Sequence, residues 1–238
     1  MKSFWFSKKW RPEKLPNFRK GSALLYSAPM TPSYNELAGK NLKRLEGLSD
    51  GIFAFAMTLL ALDVHIPLPE TIHNETELLQ ALAALAPKIF PWIMSLLTLG
   101  IFWVGQQTQL SQLKHSNHHF TWLHIAFLAS VTAIPFSTEI LIQFDGYRTA
   151  LLIYWLNILV LGLLLLASWV YACKSNLVKR EVTEKIYRAV IHRIVRAQIL
   201  YAFGAALCLI HNNWSLGFIL LVQLNYALAP KFLAKWTL

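Results

Sequence analysis

Apolar residues come along this chain in long uncharged blocks separated by short polar segments. The leading block lies in Arg44–Pro67, RLEGLSDGIFAFAMTLLALDVHIP. A charged and small-residue head (Arg44, Glu46, Gly47, Ser49, Asp50) runs into Gly51–Leu62 without a charge, and Asp63, His65 and Pro67 close it. At ~1.5 Å per residue such a stretch is long enough to cross a hydrocarbon core of about 30 Å as a helix. On a wheel of 100° per residue, Gly51, Thr58, Leu59, Leu62 and Ile66 fall within about 60° of Phe55, and Phe53, Met57, Leu60 and Val64 lie opposite. Asp50 sits round toward Met57, off the Phe55 face, so its partner is expected on another helix. Arg44, six residues earlier, is at the wrong spacing for a pair on one straight helix, where three or four would be needed. Their pairing requires a bend before Leu48 or a neighbouring subunit.

Five further blocks follow: about Ile89–Val104, Trp122–Ile142 with Pro135 expected to kink it, Leu151–Tyr171, Ala197–Ile210 and Trp214–Ala229. Asp145-Gly146 marks a tight turn between the third and fourth spans, and Asn212-Asn213 one between the fifth and sixth. The expected fold is therefore an all-α polytopic membrane protein of six spans. Residues 44–238 form the membrane domain, and residues 1–43 a basic N-terminal arm broken by Pro12, Pro16, Pro29 and Pro32.

Composition agrees: 238 residues, 55% hydrophobic and 14% charged, against about 25% charged in a soluble domain. The basic residues fix the orientation. Ten fall in the arm through Arg44, one in the second connection, seven between Lys174 and Arg196 and two at the tail, against Lys88 and Arg148 on the other side. Six spans with both ends in the cytoplasm satisfy every loop. The net charge of +10 thus reflects topology and not nucleic-acid binding. In the arm, Phe4, Trp5, Phe6 and Trp10 among Lys8, Lys9 and Arg11 suit either an anionic inner leaflet or a disordered tail.

Catalytic signatures are missing: the sequence holds no nucleophile elbow, Walker loop or His-Glu-x-x-His, and an enzyme is not expected. Cys173 and Cys208 form no Cys-x-x-Cys pair, and a metal site is not expected either. Asn74-Glu75-Thr76 has the sequon pattern, in an acidic outer loop. On a helix His115 and His119 would share a face, but without a carboxylate or cysteine beside them. His124, deeper, is read as a buried imidazole bonded to a neighbouring helix. The potassium-filter sequence Thr-Val-Gly-Tyr-Gly is absent.

Arg44, Leu48, Ser49 and Asp50 followed by GIFAFAMTLLAL resemble the first helix of the transmembrane protein 175 family of potassium-permeable lysosomal channels and their shorter bacterial relatives. Phe102-Trp103 and Ala133–Thr138 extend the resemblance, which covers roughly Arg44 to Leu238. It implies a homotetramer whose first helices line the pore, with potassium as the permeant ion, no cofactor, and membrane lipids as the other partners. The constriction falls on Phe55, Leu59 and Leu62, with Thr58 beside them. Leu48 stands where the family usually has phenylalanine, Phe55 where it usually has isoleucine, and His124 where it suggests asparagine. The expected function is a multi-pass cation channel of the cell membrane gated by a hydrophobic constriction. The competing reading is a proton-coupled small-solute transporter, which usually places an ionisable group near the midplane or interrupts its helices. A non-transporting scaffold is a third.

Overall fold

Asn41 opens the first helix: its Oδ1 accepts the backbone N–H of Arg44 at 3.2 Å, the role of an N-cap. From there the chain is helical without interruption over Leu42–Leu62 (α1), two residues ahead of the expected arm boundary. The computed structural model describes residues 41–62, 72–144 and 146–228. The arm ahead of Asn41, Asp63 to Pro67, Asp145 and the tail with Lys231 and Lys235 lie outside the described residues.

Beyond α1 come α2 (Glu75–Ala84), α3 (Ala86–Ser111), α4 (His118–Gln143), α5 (Arg148–Lys174), α6 (Glu184–Ala206), which runs on into a 3-10 turn at Leu207–Leu209, and α7 (Asn212–Leu228). The short α2 was not expected in the acidic loop. Asn74 nucleates it, accepting from the Glu77 N–H at 2.9 Å while its amide donates to Glu77 Oε1 at 2.8 Å, a reciprocal cap. The sequon asparagine is thus engaged in a helix start. Asn117 caps α4 in the same way, through the Phe120 N–H. This cap leaves His115 in the preceding loop and His119 in the first turn, so the two do not share a helix face. Gly146 turns the chain into α5 at φ +89°, backbone that glycine adopts without strain.

Among the described residues, five helices are long and apolar enough to cross a membrane: Leu42–Leu62, Lys88–Ser111, His118–Gln143, Arg148–Lys174 and Glu184–Leu209. The last expected span coincides with α7, 17 residues or about 25 Å. Two boundaries differ from the hydropathy reading. α3 continues through Gln106, Gln107 and Gln109, with Pro91 inside it as well as Pro135 inside α4. α6 begins at Glu184, so half of the basic connection is helical, opened by a Glu184–Arg188 pair at 2.8 Å.

α5 packs along α4, α1 lies against α4 and α3, and α7 lies between α3 and α6. Between apolar helices in lipid it is close packing and interhelical hydrogen bonds that select the arrangement. Phe53, Met94, Phe127, Ile134, Tyr154, Ile158 and Ile219 are buried at its centre. At two glycines a side chain of the next helix packs onto the backbone. A Cβ on Gly204 would sit 2.9 Å from Ile219 of α7, and one on Gly162 would overlap the Gln198 side chain. A polar seam crosses the same core: Ser95 to Thr138 at 2.6 Å, Thr98 to Tyr154 at 3.0 Å, and Gln223 Nε2 donating to Thr98 at 2.7 Å. It ties α3, α4, α5 and α7 together. At one end the two connections are stitched: the Lys114 N–H donates to the Leu177 carbonyl, the Lys179 N–H to that of Gln112, and Lys179 Nζ to that of Ser111.

Candidate ion-pathway helix and its anchor

Helix α1 presents two unlike faces. Leu45, Ser49, Phe53, Ala56 and Leu60 are buried against the bundle. Round the helix, Gly51, Ala54, Phe55, Thr58 and Leu62 are exposed and Leu59 half-buried, with Phe55 62% and Leu62 72% exposed. The wheel placed Phe53 and Leu60 opposite Phe55 and Leu62, and the structure brings those pairs to opposite sides. No other helix of the described chain covers the Phe55 face. A Cβ on Gly47 or Gly51 would likewise meet nothing within 4 Å, so these glycines do not serve helix packing within the subunit.

Thr58 Oγ1 donates to the Phe55 carbonyl at 2.7 Å. With its one proton committed inside the helix, the hydroxyl turns outward only as an acceptor. An outward-facing oxygen lone pair attracts a cation and offers nothing to an anion.

Two residues at the helix head set the rotation of α1. Asp50 Oδ1 accepts from Trp103 Nε1 at 2.9 Å and from Gln107 Nε2 at 2.6 Å, both on α3. The expected partner on another helix is there. Arg44 is not: among the described residues no bond joins it to Asp50, because α1 continues through Leu48 unbent and a six-residue separation points the two side chains apart. Arg44 and Leu48 instead lie on the exposed surface, Leu48 at 46%.

Ser49, fully buried, forms the second anchor. Its Oγ lies 2.9 Å from the Leu45 carbonyl, 2.7 Å from His124 Nε2 on α4 and 3.0 Å from Gln106 Nε2 on α3, which donates to it. The single hydroxyl proton goes to Leu45 when His124 carries the Nε2 proton and to His124 when it does not; the oxygen accepts from Gln106 in either case. His124 is thus the buried imidazole bonded to a neighbouring helix that its position suggested.

Gln106 and Gln107 were not among the residues the sequence singled out. Their signal lies in the spacing Trp103-x-x-Gln106-Gln107: three and four residues on, they share a helix face with the tryptophan. A glutamine pair inside an otherwise apolar run is also costly unless it bonds to something.

A multi-pass, all-helical membrane protein with a polar-headed first span, its rotation fixed from two neighbours and one apolar face left bare, is the class that fold and site define. The sequence model of the family described as "Endosomal/lysosomal potassium channel TMEM175" matches residues 44–135. A potassium channel of Streptomyces collinus is 29% identical over 196 residues, covering 80% of this chain and 85% of that protein. The crystal structure of a lysosomal potassium-selective channel TMEM175 homolog from Chamaesiphon minutus superposes with a TM-score of 0.69 at 25% identity, over 79% of this chain and 97% of that one. An endosomal/lysosomal proton channel of Mus musculus is 28% identical over 102 residues, 41% of this chain and 20% of its own length. These likenesses support a protein of the transmembrane protein 175 family, of the short bacterial type.

Proposed function

We propose that the chain is one subunit of a potassium-permeable cation channel of the cell membrane. Four copies surround an axis and the bare face of α1 lines the pore. Phe55, Leu59 and Leu62 form successive apolar constrictions, and Thr58 supplies acceptor oxygens between them. Both termini lie in the cytoplasm and α7 serves as the sixth span. Arg44, exposed at the helix head, faces the next subunit. Ions pass without a carbonyl filter, when the constriction stays wet.

The observation that carries this reading is the pairing of opposites on α1: one face locked by Ser49 and Asp50, the other bare and lined by Phe55, Thr58 and Leu62. A helix whose only duty was to face lipid would not need its rotation fixed at two side chains. The names of the relatives support potassium as the ion. The transporter reading draws no such support, since among the described residues every span is continuous, and a transporter site is usually built from interrupted helices.

The test is potassium efflux from liposomes holding the purified full-length chain. Phe55→Ala is expected to raise efflux well above the parent, because removing the phenyl rings widens the tightest level. Equal fluxes for the two proteins, or saturable uptake with slow turnover in place of efflux, would overturn the assignment.

A further inference from the structure

A half-open cavity of about 110 Å³ lies among α3, α5, α6 and α7, away from the bare face of α1. Its walls are largely apolar (Ile101, Phe102, Leu165, Val190, Ile194, Ala197), yet three buried polar groups on them have no hydrogen-bond partner among the described residues: Gln109 Nε2, Tyr201 Oη and Gln198 Oε1. Gln109 is 6% exposed and Tyr201 2%. Buried polar atoms without partners are rare and costly. Arg193 also lines the cavity, its guanidinium held 5.6 Å from the centre of the Tyr226 ring.

We propose that this cavity binds the carboxylate end of a single-chain anionic amphiphile such as a fatty-acid anion. The argument is donor arithmetic. Among the unpartnered groups Gln109 offers amide N–H and Tyr201 a hydroxyl proton, with the Arg193 guanidinium on the same wall, against one carbonyl acceptor at Gln198. An excess of donors that includes a cation selects an acceptor-only anion. The apolar walls take the first methylenes of its chain, and the rest lies in the acyl phase. Size chooses among anions: the cavity is smaller than the ~150 Å³ that admits a benzene ring in an engineered apolar core. A carboxylate and two or three methylenes fit that room, whereas a glycerophosphate head does not.

The site also bears on α1. Val104, Gly105 and Thr108 line the cavity, while Trp103, Gln106 and Gln107 of the same two turns hold Asp50 and Ser49. An occupant therefore presses on the stretch of α3 that sets the rotation of α1. That consequence rests on the channel reading; the binding site does not.

The experiment measures dodecanoate binding to the purified full-length chain in zwitterionic nanodiscs by native mass spectrometry at pH 8. Dodecanol and phosphatidylglycerol serve as competitors. Saturable binding of dodecanoate about tenfold or more tighter than dodecanol is expected, since the alcohol keeps the tail and loses the charge. The double variant Gln109→Leu with Tyr201→Phe should bring dodecanoate to the level of dodecanol, and Ala197→Leu should remove binding by filling the space. Equal binding of the two amphiphiles, displacement of dodecanoate by equimolar phosphatidylglycerol, or full binding by either variant would overturn the proposal. Should the variants melt early, the comparison of dodecanoate with dodecanol on the parent protein decides. No outcome here depends on ion flux, so failure leaves the channel reading as it stands.

Discussion

Replacing Ser49 with alanine deletes one oxygen through which two helices hold a third. The Leu45 carbonyl loses only an extra donor and keeps its place in the helix ladder. Gln106 Nε2 and His124 Nε2, both on buried side chains, lose the contacts at 3.0 and 2.7 Å. Two buried polar groups orphaned in a soluble core would cost ~1–3 kcal/mol each. Interhelical bonds in bilayers measure nearer ~0.6 and at most about 1.7 kcal/mol, because the separated helices also find partners. The membrane value governs here, giving a loss of about 1–3 kcal/mol. At roughly 2–4 °C per kcal/mol for a chain of this size, melting of the detergent-purified protein should fall by about 2–12 °C, read by tryptophan fluorescence. A double variant supplies the sharper check. With Gln106→Leu in place, little remains for Ser49→Ala to orphan on α3, so the pair should cost clearly less than the two single changes together. Strictly additive losses, or a Ser49→Ala protein that melts with the parent, would refute the three-way anchor.

Two further outcomes follow from the same helix. Asp50→Ala removes the acceptor of Trp103 and Gln107 and should reduce the yield of assembled protein on gel filtration, whereas Asp50→Asn keeps an oxygen there and should assemble; a well-assembled Asp50→Ala protein with altered ion preference would contradict the anchoring role. Thr58→Val removes the outward acceptor without changing the shape, and should lower the potassium-to-sodium permeability ratio in planar bilayers, an unchanged ratio marking the hydroxyl as idle.

The faces of α1 were legible in the sequence because an uncharged helix obeys its 100° repeat whatever surrounds it, and Phe53 and Leu60 turned inward as that repeat required. The helix ends were less so. Hydropathy stops α3 at Val104, since it scores glutamines as loop-like; in the fold the Gln106 and Gln107 amide N–H groups donate to Ser49 and Asp50, and the helix carries on. α6 was cut short for a related reason: Arg188, Arg193 and Arg196 are polar at the tip and aliphatic along the stem, so they tolerate the first turns of a span. An Arg44–Asp50 pairing within one subunit needed a bend that the chain does not make. The second half of each hydrogen bond, a histidine 75 residues away or a glutamine 57 away, was beyond local pattern altogether, because only tertiary packing brings those positions together.

The hold on the head of α1 also fixes a depth. Asp50 is gripped near the end of α3 that carries Gln107, and Phe55 and Leu62 lie about 7 and 18 Å further along the helix axis. In the proposed orientation those distances straddle the midplane of a ~30 Å core, where the dielectric barrier to a bare ion stands highest. Thinning or thickening the bilayer would slide lipid past the helix without shifting these levels relative to the rest of the subunit, since they hang from a protein anchor and not from the headgroups.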